Sequence, residues 1–352
     1  MQDSLFDDLG AAALPLPAPP ARTGPARKQD AVVLPAPAND ALQAVAAALP
    51  PRLYMGTSSW NFPGWKGVVW DESDYDPAAL SRQGLAAYAH HPLLRTAGID
   101  RSFYRPMTTS QYADHAAQVP DGFRFVVKAP SLVADAVVRG SGGRSKQENE
   151  NFLNPALALE QFVQPALEGL GHKVGALVFQ LSPLPPAMLQ PHHLKEVLAR
   201  LRSMLLALPD LKLLAPDGVL AVEVRNPELL TPALADVLRE AGATYCLGLH
   251  PRLPSIEGQL PLLRALWPGP LVCRWNLNRL HGAQGYEEAR ALYRPFNALI
   301  DPDPQLRSAL ARVIAGTTGA GFPAYVTVNN KAEGSAPLSV LALAQEVVRQ
   351  QG

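Results

Sequence analysis

Eight short apolar runs, each closing on a polar or ionisable residue, constrain the fold of this chain more than any other feature. They fall at Tyr54 to Thr57, Gly98 to Phe103, Phe123 to Ala129, Gly175 to Leu181, Val219 to Arg225, Thr244 to Leu249, Pro270 to Asn276 and Ala324 to Asn329. Runs that are apolar on both faces read as strands buried on both sides, the mark of a parallel sheet covered by helices. Helix-start chemistry lies between most of them. Asp76-Pro77, Asn154-Pro155 and Thr231-Pro232 each put a capping oxygen before a proline suited to a first turn. Thr109 is placed to cap Ser110 to Gln118, and helical patterns fit 192–206, 286–299, 304–316 and 338–350. Eight strand-helix units predict an α/β fold, a closed (β/α)8 barrel of the TIM type. An open doubly wound sheet is the alternative that periodicity alone leaves standing.

Such a barrel needs about 250 residues, and the chain has 352, so one domain and a tail account for it. Residues 1–51 are rich in Ala and Pro, as in Leu14-Pro15-Leu16-Pro17 and Pro35-Ala36-Pro37, and read as a disordered tail; residues 52–352 read as the barrel. Within the tail, Gln2-Asp3-Ser4-Leu5-Phe6 resembles the short motif by which bacterial replication and repair proteins dock on the DNA-polymerase sliding clamp. That resemblance gives Gln2 the polar contacts and has Leu5 and Phe6 fill an apolar pocket. Lys+Arg 31 balance Asp+Glu 31, so total charge gives no support to non-specific nucleic-acid or membrane binding. The apolar run Ala41 to Leu49 is too short to span a bilayer, and the opening Met1-Gln2-Asp3 lacks the basic start of a secretory signal. The two cysteines, Cys246 and Cys273, read as buried thiols, and the expected location is the cytoplasm.

A barrel of this kind carries its site at the carboxyl ends of its strands, so those residues are read together. Ser58 and Trp60 follow the first strand, the second carries Asp100, Ser102 and Tyr104 in one parity, and Lys128 ends the third. Gln180 ends the fourth, and Glu223 and Arg225 share one face at the end of the fifth, because strand side chains alternate. His250 follows the sixth, Arg274 lies on the seventh, and Asn329-Asn330 close the eighth. A carboxylate beside a guanidinium at the end of a buried strand is costly unless paired or used. Each residue alone has a structural reading, as a closing ion pair or a turn, but eight polar ends around one mouth favour a ligand site. The glycine-rich stretch Gly140-Ser141-Gly142-Gly143-Arg144-Ser145-Lys146 reads as a mobile loop over that mouth, with Arg144 and Lys146 available to an anion. No His-x-His, Cys-x-x-Cys or His-Glu-x-x-His spacing occurs, and no glycine-rich phosphate or dinucleotide loop follows a strand. No metal is expected, although Asp100, Glu223 and His250 are of ligand type, and no cofactor is indicated.

Taken in order, several motifs resemble the YecE-like family (domain of unknown function 72). They are Gly56-Thr57-Ser58-Ser59-Trp60 with Trp65, Ser102-Phe103-Tyr104-Arg105, Phe123 to Pro130, Leu177 to Leu181, Ala221 to Arg225, and Val328-Asn329-Asn330. The resemblance covers about residue 53 to the end and implies a TIM-type barrel with a polar cleft; it supplies no reaction. The family pattern has glycine where Ser59 stands, an acidic residue near Gly98, asparagine at Asp100 and histidine at Asn226. Its Arg-x-His-Gly after the seventh strand is split here into Arg274 and His281-Gly282.

Three functions follow as expectations. The first is an enzyme acting on a polar or anionic substrate, phosphate- or sugar-containing. Lys128, Arg225 and Arg274 would hold negative charge, Glu223 would act as general acid or base, and Gln180 and Asn329 would orient the substrate. A sharper form makes Lys128 a Schiff-base nucleophile, since a desolvated lysine between arginines disfavours its ammonium. The second is a DNA-maintenance factor recruited to the sliding clamp through Gln2, Leu5 and Phe6, with Trp60, Trp65 and Tyr104 stacking on a base. The third is a barrel that binds a ligand without turnover.

Overall fold

The eight expected strands form, and they close on themselves. They are β1 (Leu53–Thr57), β2 (Thr96–Ile99), β3 (Arg124–Lys128), β4 (Val174–Gln180), β5 (Val219–Glu223), β6 (Thr244–Leu249), β7 (Leu271–Trp275) and β8 (Ala324–Val328). Each pairs in parallel with the next, and β8 returns to β1, giving a closed parallel barrel. The computed structural model describes residues 32–139 and 146–351. Gln2, Leu5 and Phe6, and the loop 140–145, lie outside the described residues.

Helices return the chain outside the barrel, as expected for a (β/α)8 fold. Asp76, Asn154 and Thr231 accept hydrogen bonds from the backbone N–H groups of Ala79, Leu157 and Leu234, so these caps were legible from residue type. The cap one helix later is Thr108, not Thr109: it forms a reciprocal box with Gln111 at the start of Thr109–Ala116. The last two helices are Pro304–Gly319 and Ala336–Arg349. The helix expected over 286–299 is shorter, Tyr286–Tyr293, because Arg294 turns extended before Pro295.

Two further differences have clear causes. The second strand stops at Ile99 because the Ser102 hydroxyl turns back, donating 2.8 Å to the Ile99 carbonyl and 2.6 Å to that of Lys128. Residues 101–103 therefore form a 3-10 turn that holds Asp100 at the barrel rim. Residues 32–51, expected within the tail, form structure of their own. Val33 is buried, the Leu34 N–H donates to the Tyr75 hydroxyl, and Asn39 caps the helix Asp40–Ala48.

Inside the barrel, alternation sorts the residues into layers. Tyr54, Val126, Ala176, Val178, Ala221, Cys246, Val272 and Tyr325 form an apolar interior plug. Two residues further along the same strand faces stand Lys128, Gln180, Glu223, Gly248, Arg274 and Thr327, the polar layer at the carboxyl mouth. The remaining core lies between sheet and helices. Among the described residues no helix is long and apolar enough to cross a membrane.

Candidate functional site

The polar layer is wired by hydrogen bonds from four strands. Glu223 is fully buried; one oxygen is ion-paired with Arg225 Nη2 at 2.8 Å and the other accepts a hydrogen bond from Arg274 Nη1 at 2.6 Å. Asn276 adds a third donor at 3.2 Å. Gly248, opposite, leaves room for this carboxylate: an added Cβ there would sit 3.4 Å from Glu223 Oε1 and 3.0 Å from Leu253. Arg274 continues to the rim, where Nη2 donates to both oxygens of Asp100 at 2.8 Å. Burial alone would raise the Glu223 carboxyl, but Arg225 and Arg274 outweigh it and hold the group ionised. With both oxygens engaged, Glu223 is equipped to fix the two guanidiniums in place.

Lys128 is different. Its amine lies 3.4 Å from the centre of the Phe103 ring and makes no ion pair among the described residues, although Asp100 and Glu223 are near enough to be felt. Burial pushes it down to about 7, and Arg274 and Arg225 add to the shift. It is thus a largely desolvated amine, substantially neutral at physiological pH.

The side amide of Gln180 is locked. Its oxygen accepts from Arg225 Nη2 at 3.0 Å and from Arg274 Nη1 at 2.9 Å, so the NH2 group is forced to the other side, where it is buried with no partner. Arg225 Nε and Nη1 are buried and unpartnered too. Each such donor left unmade costs about 1–3 kcal/mol, so a ligand acceptor is the natural complement. His250 stands beside Arg225. Its Nδ1 accepts from the Arg252 N–H at 3.0 Å, which leaves the proton on Nε2, and burial reinforced by Arg225 holds the ring neutral down to about 3.

Across the mouth, Ser58, Asp100, Asn329 and Asn330 line one narrow recess. Asn329 Oδ1 is spent on the Lys331 N–H. Asn330 repeats the arrangement of Gln180: Oδ1 accepts from Trp65 Nε1 at 3.1 Å and the Ala336 N–H at 2.8 Å, leaving its NH2 buried and unpartnered, as is Ser58 Oγ. Tyr104 is half exposed at the rim, with burial and Asp100 pushing its phenol up to about 12. Trp60 is the predicted residue that does not converge. It packs edge-on against His115 of Thr109–Ala116, in the layer outside the barrel.

Sequence reasoning passed over one residue here, Tyr286, and placed Asn276 and Lys331 only among the polar strand ends. Tyr286 has its ring 5.6 Å from that of His250 and lies within electrostatic reach of Arg225, Glu223, Arg274 and Asp100. It sits on a helix inside the long β7 connection, where no strand-end rule would find it. Lys331 is buried, faces the Tyr286 ring at 5.9 Å, and is pushed down to about 8 by burial and then Arg290. Asn276 was legible, since it shares the face of Arg274. Among the described residues no three His, Cys, Asp or Glu side chains come together as a metal group. A larger recess of about 370 Å³ lies on the barrel flank between Ile256–Ala265 and Pro304–Gly319, but it is a mostly apolar groove, and the convergent ionisable groups are at the mouth.

Residues 54–352 match the family model described as "Protein of unknown function DUF72". The chain belongs to the DUF72 family. Two structures of a DUF72 family protein from Enterococcus faecalis are similar to it. One is 18% identical with a TM-score of 0.54, covering 84% of this chain and 95% of that one. The other is 18% identical with a TM-score of 0.51, covering 83% and 96%. A DUF72 family protein from Thermotoga maritima is 17% identical, with a TM-score of 0.48 over 85% of this chain and 99% of that one. No curated protein matches the chain. At this identity the structural likeness shows the fold. The residues read from the sequence as departures from the family pattern have local roles. With glycine at 98, Asp100 supplies the carboxylate that holds Arg274. Asn226 accepts from the Leu184 N–H at 2.7 Å and is thereby spent on the loop after β4. His281 pairs with the Tyr293 hydroxyl, which donates to Asp301, pinning the β7 connection that carries Tyr286.

Proposed function

We propose that this DUF72 protein is an enzyme acting on a small anionic carbonyl compound, with Lys128 as its nucleophile. The observation that carries the reading is the Lys128 amine itself: buried, without a carboxylate partner, and flanked by two guanidiniums that keep it from charging. A neutral amine adds to a carbonyl carbon, its N–H proton passing to the oxygen to give a carbinolamine; the C–O bond then breaks, the oxygen leaving as water with a proton taken up from solvent, and an iminium joined to the lysine nitrogen remains. Arg225 and Gln180 offer unpartnered donors to the anionic part of the substrate. Tyr104 and Tyr286, both raised, stay protonated and supply a hydroxyl donor to the departing oxygen. Glu223 acts as the fixed counter-charge, and Asp100 holds Arg274.

The test is reductive trapping. Incubation with pyruvate and borohydride is expected to leave a stable adduct on the peptide containing Lys128, read by mass spectrometry. An adduct of equal yield in Lys128→Ala would remove the reading.

A further inference from the structure

The two locked amides stand on opposite sides of the mouth. Gln180 ends β4 and Asn330 follows β8, and in the strand order β1-β8-β7-β6-β5-β4-β3-β2 the β4/β5 pair lies across the barrel from β8/β1. Each has its oxygen held by two donors and its NH2 buried without a partner, so neither can flip to relieve the other face. What surrounds them differs. On the β4/β5 side the spare donors are Gln180 Nε2 with Arg225 Nε and Nη1, a cationic set of single donors to which an anionic oxygen is the complement. On the β8/β1 side they are Asn330 Nδ2 and Ser58 Oγ, uncharged, in a recess that Asp100 also lines. That recess holds about 20 Å³, room for one oxygen atom. An amide donor and a carboxylate acceptor around a one-oxygen space suit a hydroxyl, which accepts from the first and donates to the second. They reject a second carboxylate, which Asp100 would repel.

We propose that the mouth is a receptor for sugar acids: a carboxylate bound at Arg225 and Gln180, and a hydroxyl at the far end of the same short chain bound by Asn330, Ser58 and Asp100. This rests on the amine reading of Lys128 and narrows it, because β3 stands between the two subsites on one arc of the barrel and a 2-oxo group beside the carboxylate would face that strand.

The variants that test it keep the fold. Gln180→Glu and Asn330→Asp each retain an oxygen for the two incoming hydrogen bonds and replace the spare N–H donor by a carboxylate oxygen, which adds a negative charge at that subsite. Calorimetric titration of the full-length protein uses gluconate and 2-oxogluconate as probes, with glucose as the uncharged control and pyruvate as the oxo acid without a hydroxyl tail. Either sugar acid is expected to bind at least about tenfold tighter than both controls. Gln180→Glu should erase the preference over glucose, and Asn330→Asp should weaken the sugar acids about tenfold while leaving pyruvate unchanged. Equal binding of sugar acid and pyruvate, equal loss of both in Asn330→Asp, or no sugar-acid binding at all would each overturn the proposal. Borohydride trapping of pyruvate on Lys128 reads the amine chemistry separately. Trapping without sugar-acid preference sinks the substrate class alone, and preference without trapping sinks the amine reading alone.

Discussion

The two ends of the barrel are built from the same side chains and do opposite things with them. At the amino-terminal end Tyr54 and Tyr325 stack at 5.1 Å, and Arg95 and Arg124 lie over the Tyr54 ring. Asp217 takes Arg52 at 3.0 Å and Arg124 at 2.8 Å, and the remaining guanidinium N–H groups of Arg124 and Arg95 go largely to backbone carbonyls such as Asp121, Phe123, Pro51 and Leu53. Among the described residues, Arg124 Nε is the buried guanidinium donor of that end without a partner. That end is a plug, with its carboxylate 26% exposed. At the carboxyl end the carboxylate is 0% exposed, and the arginines it orients keep donors in hand. The difference shows that arginine and carboxylate at a barrel end do not by themselves mean a site; what distinguishes the carboxyl end is its set of buried donors without acceptors beside Lys128.

Four substitutions break or sharpen the contrast. Glu223→Ala leaves two buried guanidiniums without their shared counter-charge and is expected to cost about 3–5 kcal/mol by urea denaturation. A loss no larger than that of the plug carboxylate would erase the distinction between the ends. Next in size is Lys128→Met. The lysine is held near 7 in the fold against 10.5 when free, so between those values the unfolded chain binds the extra proton and stability rises with pH. Removing the amine should therefore stabilise the protein by roughly 2–4 kcal/mol at pH 7, an advantage that fades as pH approaches 10.5. A pH-independent difference would mean an ordinary packing effect.

His250 has the same sign in a lower window. Its ring stays neutral to about 3 in the fold, so its contribution is complete above 6.5 and is lost as pH falls from there toward 3. His250→Gln should recover about 2 kcal/mol relative to the native chain at pH 5 and nothing at pH 8. The smallest effect belongs to the plug: Asp217→Asn should cost about 1 kcal/mol, screened by salt, because its partners are part-exposed and have backbone acceptors.

The barrel was legible because its eight strands are apolar on both faces, a pattern helices and surface strands do not produce. The rim was legible too, since strand alternation puts Glu223 with Arg225 and Arg274 with Asn276. What the chain could not disclose was the partnering. Nothing in the order of residues says that Asp100 reaches Arg274, that Gln180 and Asn330 have their oxygens taken, or that Trp60 turns outward toward His115. Tyr286 was hidden for another reason: long connections carry no periodicity that fixes where they fold back. The helix Asp40–Ala48 was overlooked because the alanine and proline around it masked the Asn39 cap.

The account turns on the protonation of one amine. Competitive acetylation of the native protein between pH 5 and 11, with the Lys128 peptide followed by mass spectrometry, reads that directly. A labelling midpoint near 7 is the predicted result; a midpoint at the ordinary lysine value, 10.5, would contradict it.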